Sequence, residues 1–404
     1  GSSKFRYNDD RWGVFWSVGG AWRISAEPWA ADATWLTDLK LRADYGVIGN
    51  QNGIGRYSGY QTWSYSATGY TTPGSYSPAG WKLSQNGFTT PLTWEKKKTV
   101  DVGLDFRLWD RFYGTMDWYQ TNTDDVAWNA PISYAMSGQT TLAANSARMR
   151  TRGFELELGV DIIKTPNTLW SFNVNGSTYY TTILEVPEGT GSAQLNGCWT
   201  APADAWSIAG TGGTSNNITY LRGIGKPYYN MYIYKYGGVD PASGLPLIAS
   251  TVSSTNIDNL KKTSGNVYGD IVEGNTVYTT DYTLATRQEF GDATPDFIGG
   301  FGTSLKWKNL DFSAQFAFQI GGKFLSVADA NHYYRSDQTG YYHMSADLKG
   351  NTFTASNTGA RYPMVILNNP NSNGYTGGST IGSWAYTDMA LYSASYLNVK
   401  NLTL

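Results

Sequence analysis

Cysteine and histidine are almost absent from these 404 residues: Cys198 stands alone, and His332 and His343 are the two histidines. A single thiol closes no disulfide within the chain and offers no thiolate cluster for zinc. Both histidines fall in one loop with no nucleophile or metal-ligand spacing around them, so they read as loop packing rather than as catalytic groups. Charge is scarce too, at 15% of residues, and nearly balanced at a formal −2. Nucleic acid is bound through clustered basic residues, so that partner class is discounted. No apolar run approaches the ~18 residues of a spanning helix, and mean hydropathy is −0.39. A helical membrane protein is thereby excluded; a barrel is not, because its alternating strands average out.

What is abundant is aromatic: 15% of residues, with 30 Tyr and 16 Trp beside 46 Gly. Interfacial belts and sugar-binding surfaces both use such amphipathic rings. The segment "GGFGTSLKWKNLDFSAQFAFQIGG", Gly299 to Gly322, shows how the apolar residues are arranged. Leu310, Phe312, Ala314, Phe316, Phe318 and Ile320 share one face, and Asp311, Ser313, Gln315, Ala317 and Gln319 the other. This is the period-two signature of a strand, and Phe301, Thr303, Leu305 and Trp307 continue the apolar face beyond a Lys308-Asn309 turn.

The same alternation recurs in Trp16–Ile24, Leu39–Val47, Val100–Leu108, Phe112–Trp118, Phe154–Val160 and Trp170–Gly176. About nine strands match the template, the last being "YLNVKNLTL", whose phase shifts near Lys400 as a bulge would shift it. Short turns alternate with long polar loops at about 50–93, 125–148, 182–296 and 323–392. Membrane barrels have this asymmetry, with short periplasmic turns and long extracellular loops, whereas a compact soluble domain seldom does. Asp101, Asp105, Arg107, Glu155, Glu157 and Asp161 then belong to a polar lumen. Trp16 and Trp118 lie toward the loop ends of their strands, and Trp22, Trp109, Trp170 and Trp307 toward the turn ends, as two aromatic girdles would. The expected fold is all-β: residues 1–404 form part of a transmembrane antiparallel β-barrel.

Seven ordered segments carry a more specific likeness: "GSSKF", "WGVFWSVGGAWRISAE", "LKLRADYGVIGNQ", "WEKKKTVDVGLDF", "RMRTRGFELEL", "GDATPDFIGGFGTSLKWKNLDFSAQF" and "SASYLNVKNLTL". Together they resemble the SusC-like (SusC/RagA) TonB-dependent transporters of the Bacteroidetes outer membrane, from Gly1 to Leu404, and make "GSSKF" native sequence. The resemblance implies a ~22-stranded barrel, of which these are about strands 12 to 20, with the plug, the TonB-contacting segment and the first strands lying outside this chain. It also implies import of an oligomeric nutrient, a SusD-like surface lipoprotein as partner, and TonB-ExbB-ExbD acting through the missing N-terminal part. Physics points the same way, because an open barrel section in hydrocarbon leaves edge groups that each cost several kcal/mol; a larger polypeptide is expected. The region "VYGDIVEGNTVYTTDYTLATRQEFGD" departs from the Asp-Gly-rich pattern that the family often shows there, so no metal site is carried over. A secreted soluble all-β carbohydrate-binding protein and a non-transporting adhesin barrel remain as alternatives.

Candidate binding residues are the loop aromatics: Trp63, Tyr65, Tyr70 and Trp81 in one loop, and Tyr333, Tyr334, Tyr341 and Tyr342 in another. Rings with nearby polar groups stack on pyranose faces, which favours an oligosaccharide over an oligopeptide, though the same rings would also pack loops together. Lys96 and Lys98 share the phase of Val100 at the loop end of their strand and are candidates for lipopolysaccharide contact beside the membrane lipid; solvated rim charges would look the same. Asp124 and Asp125 supply too few oxygens for calcium alone. "GIGRYSG", Gly53 to Gly59, has the wrong spacing for a dinucleotide loop. No catalytic residue, cofactor or metal is expected, and the chain is not read as an enzyme.

Overall fold

The computed structural model describes residues 1–5, 8–52, 54–55, 63–66, 80–83, 92–131, 141–188, 199–202, 219–251, 276–280, 285–326, 328–330, 344–365 and 387–404. Nine strands form one antiparallel sheet in chain order. They are β1 (Trp16–Arg23), β2 (Leu36–Asn50), β3 (Glu95–Leu108), β4 (Phe112–Pro131), β5 (Thr141–Thr165), β6 (Thr168–Glu185), β7 (Phe297–Trp307), β8 (Leu310–Ile320) and β9 (Tyr396–Thr403). Each strand pairs with its neighbours in sequence, so β1 and β9 are left as edges, and every residue of both is exposed.

Register converts the alternation into two faces. Ala43, Val102, Trp118, Phe154 and Thr178 lie on one row across five strands, and Asp44, Asp101, Tyr119 and Gly153 on the next. The first row belongs to an apolar outward face that stays uncovered: Val18 is 63% exposed, Leu397 66% and Val399 59%. The second belongs to a polar face. Glycines let rings lie flat across the sheet, since a Cβ on Gly153 or Gly159 would strike Tyr119 or Tyr113, and one on Gly176 would strike Phe297.

At one end the connections are short, except that Ile24–Ala26 and Pro28–Ala30 form two 3-10 turns between β1 and β2. Thr165 pairs with Thr168 and Trp307 with Leu310, each across a two-residue turn. Trp109 and Asp110 take φ of 50° and 57°, the left-handed geometry whose twist matches that of the flanking strands. Rings gather at this end, with Trp22 against Trp29 and Trp35 against Trp109 at centroid distances of 6.4 and 6.3 Å. Trp22 Nε1 donates to Glu27 and Trp170 Nε1 to Thr303, so each ring offers its body outward while its N–H is satisfied. The expected bulge in the last strand is present: Gln315 faces Asn401 and Phe316 faces Val399, leaving Lys400 as the extra residue.

At the other end the strands run further than their alternation foretells. β4 continues to Pro131 and β5 begins at Thr141, well inside the expected 125–148 loop. Val126, Trp128, Ala147 and Ile183 bury one another there, and this packing sustains the pairing once strict alternation has lapsed. The two longest connections are also structured. Arg287–Asp292, Asn230–Tyr234, Thr219–Arg222 and Trp199–Pro202 form a four-stranded sheet, while Tyr236–Val239, Pro246–Thr251 and Thr276–Thr279 form a three-stranded one. Ile233 and Ile248 from the first connection share a core with Leu325, Ala330, Leu348, Tyr362 and Ala390 from the second. We call this paired structure the roof. One of its turns is closed by Asp240, which is 2% exposed and accepts from the N–H groups of Ala242 and Ser243, with Gly244 at φ +72° completing it.

The roof's two halves are also stitched by Asp388, whose Oδ1 accepts from the Tyr236 N–H at 2.7 Å. Burial pushes the Asp388 carboxyl above its ordinary value of 3.8, and the Tyr236 N–H offsets this only in part. The folded roof therefore binds this proton more tightly than the unfolded chain does. Its contribution is full below the unfolded pKa and is lost as pH rises through the folded one. Asp388→Asn keeps the acceptor and removes the buried charge. Amide hydrogen exchange of residues 230–250 at pH 7 is expected to slow in this variant, and to lose the part of its acid dependence that Asp388 supplies.

Candidate functional site

The polar face of the sheet centres on Arg42. Its Nε and Nη2 each donate to Asp105 at 3.0 Å, and Nη2 also reaches Asp117 at 2.8 Å, so one guanidinium ties three adjacent strands together. Arg42 can cross β3 because Gly103, its partner in register, has no side chain; a Cβ there would lie 2.6 Å from Arg42 Nη2. Lys40 stands 3.7 Å from Asp105. Asp44, Asp101, Glu155 and Glu157 carry no ion pair among the described residues, and this part of the wall is acidic. Thr115, Asp117, Glu155, Glu157, Asn175 and Ser177 border a concavity of ≈ 410 Å³ on it. Alternation placed Asp101, Asp105, Glu155 and Glu157 here. The Arg42 clamp needed the register between β2, β3 and β4, which alternation within one strand does not contain.

Above the wall, at the loop end, Lys226 Nζ and Asn230 Nδ2 donate to Glu289 at 2.7–2.8 Å. Burial works against ionised Glu289, but these two donors outweigh it and hold the carboxyl below its usual range. A second concavity, of ≈ 530 Å³, lies at the root of the roof between Phe290, Asp292, Asp296, Lys323, Asp388 and Tyr392.

The sequence-predicted binding residues are brought together only in part. Trp63–Ser66 and Gly80–Leu83 pair as a short antiparallel ribbon, with Tyr65 opposite Trp81 and Trp63 opposite Leu83. Tyr70, Tyr333, Tyr334, Tyr341 and Tyr342 lie outside the described residues, as do His332 and His343. Lys96 and Lys98 hold the outward phase, but their charges are matched: Lys96 Nζ is 2.9 Å from Asp125 and Lys98 Nζ 2.7 Å from Asp124. Asp124 also accepts from Arg148 Nε at 3.0 Å, so this acidic pair serves ion pairing. Among the described residues no group of three or more His, Cys, Asp or Glu could hold a metal.

A family model described as TonB dependent receptor-like, beta-barrel, matches residues 1–232, more than half of the chain. The chain belongs to the TonB-dependent receptor-like β-barrel family. Among curated relatives it is 26% identical to TonB-dependent receptor P3 of Formosa agariphila, over all of this chain and 35% of that protein. It is 25% identical to TonB-dependent receptor SusC of Bacteroides thetaiotaomicron, again over all of this chain and 35% of the relative. A solved chain of the RagAB peptide transporter superposes with a TM-score of 0.67 at 23% identity, covering 99% of this chain and 37% of that one; at this identity the likeness is one of fold. The SusC-like resemblance read from the seven segments is thus met on sequence and on fold. The chain spans about a third of the length of these TonB-dependent relatives.

In a receptor-family barrel the Arg42 clamp should stiffen the wall. Gly103→Val forces Arg42 away from Asp117 and should destabilise the barrel by about 1–2 kcal/mol, the value of a charge-assisted bond that is partly shielded from water. Thermal unfolding of the full-length protein in detergent, followed by its heat-dependent gel mobility, measures this; an unchanged midpoint would remove the clamp's structural role.

Proposed function

We propose that this chain supplies part of the barrel wall and the extracellular roof of an outer-membrane importer in a Gram-negative bacterium. The importer would take up an oligomeric nutrient, with glycan ahead of peptide. A SusD-like lipoprotein would deliver the nutrient to the roof. The TonB-ExbB-ExbD system would energise import through parts of the protein beyond this chain. The observation that carries the reading is the nine-stranded sheet itself. It keeps an uncovered apolar face and a charged one, has two- and three-residue turns at one end, and bears a folded roof at the other.

A soluble sandwich would bury the apolar face beneath a second sheet, and among the described residues that face is exposed. An adhesin barrel would share the wall, but the family and the SusC relative support transport over adhesion. The relatives' names are those of receptors and transporters, which supports a role outside enzyme catalysis. Import needs a surface that holds substrate weakly on the way through, and the polar wall between Asp44 and Glu157 offers hydrogen-bond acceptors around its concavity.

Two measurements test this reading. Uptake of the nutrient by cells carrying the full-length protein should stop when the proton-motive force is collapsed, and uptake that persists would exclude energy-coupled import. Oligosaccharide affinity of the intact protein should fall in the Trp63→Ala, Trp81→Ala double variant, by roughly 1 kcal/mol for each stacking ring lost. Unchanged glycan affinity, or binding confined to oligopeptides, would overturn the glycan assignment.

A further inference from the structure

The outward face of β5 changes character within one step. From the turn end it presents Val160, Leu158, Leu156 and Phe154, and then Arg152 and Arg150. The neighbouring β4 changes on the same rung, from Trp118 opposite Phe154 to Gln120 opposite Arg152 and Asn122 opposite Arg150. On the other side Tyr180, 48% exposed, stands opposite Arg152. An apolar surface that ends in an aromatic row and continues as cations marks the height where hydrocarbon gives way to headgroups.

The cations of this band differ in how they are matched. Lys96, Lys98 and Arg148 each face a carboxylate, from Asp125, Asp124 and Asp124 in turn, and Arg148 Nη1 also lies 3.5 Å from Glu185. Arg152 Nε instead donates to Gln120 Oε1 at 2.8 Å, and Arg150 Nε to Asn122 Oδ1 at 3.0 Å. Both acceptors are neutral, so two full positive charges remain side by side. The Nε bonds fix each guanidinium plane, and no acceptor is described for the Nη atoms. A planar guanidinium held this way is prepared for paired hydrogen bonds to phosphate.

We propose that Arg150 and Arg152 form a seat for the phosphate groups of outer-leaflet lipid, with Tyr180 beside Arg152 and Trp118 on the rung beneath it at the acyl boundary. Both arginines stand on β5, two strands away from Lys98 on β3, whose charge Asp124 already matches. The inference rests on the membrane-barrel reading.

The test uses full-length protein purified in detergent, lipid A carrying both phosphates, and dephosphorylated lipid A, with bound lipid counted by native mass spectrometry. Wild-type protein is expected to retain phosphorylated lipid A at least about tenfold more strongly than the dephosphorylated form. The Arg150→Gln, Arg152→Gln double variant should lose that preference, and the corresponding double Lys variant should keep part of it. Normal heat-dependent gel mobility establishes that each variant is folded. A wild-type protein indifferent to the phosphates overturns the proposal whatever the variants do. So does a folded Gln variant with wild-type preference, or one that loses only self-association, which would make this face a contact between copies. Recovery of the wild-type protein in water without detergent would instead refute the barrel reading itself.

Discussion

Every strand in this wall has to satisfy its backbone from its two neighbours, because hydrocarbon offers no other partner for an N–H or a carbonyl. That single requirement fixes the rest. It sets unbroken antiparallel pairing across nine strands, and pairing divides the side chains by parity between two solvents. It also explains why β1 and β9 cannot be free borders in a membrane: each has a row of groups that only a further strand could satisfy.

Parity leaves little thickness for specificity, and glycine supplies it. Gly103 opens a path for Arg42 to reach Asp117 two strands away, and Gly159 and Gly176 give Tyr113 and Phe297 a floor to lie on. These positions look like weaknesses in a strand, since glycine packs nothing and costs chain entropy. In the sheet they are where neighbouring side chains cross. The wall is tied laterally by side chains that reach across a strand, in addition to its backbone ladder.

Sequence reading recovered the wall well, because period two needs no knowledge of neighbours. Val100 to Leu108, or Phe312 to Ile320, declares its own face, and the phase slip at Lys400 declared a bulge. It recovered the upper parts poorly. Trp128 and Ile183 are buried by partners from three strands, and Ile233 meets Leu325 only because the two connections that flank the β7–β8 hairpin fold onto each other. The matched charges at Lys96 and Lys98 were illegible for the same reason, since Asp124 and Asp125 lie on another strand. "RMRTR" looked like part of a family signature. Its meaning as two unmatched charges emerges only when Gln120 and Asn122 are seen opposite.

The shared core of the roof has an evolutionary consequence. Ile233 and Ile248 come from one connection, and Leu325, Ala330, Leu348, Tyr362 and Ala390 from the other. A recombination event that replaced one connection alone would import half of a hydrophobic interface and leave the resident half facing water. Asp388, which holds the Tyr236 amide, would lose its mate in the same exchange. The heritable unit of variation at this mouth is therefore the pair of connections. Between them stand β7 and β8, and crossovers that preserve the roof must carry this hairpin along with both flanks.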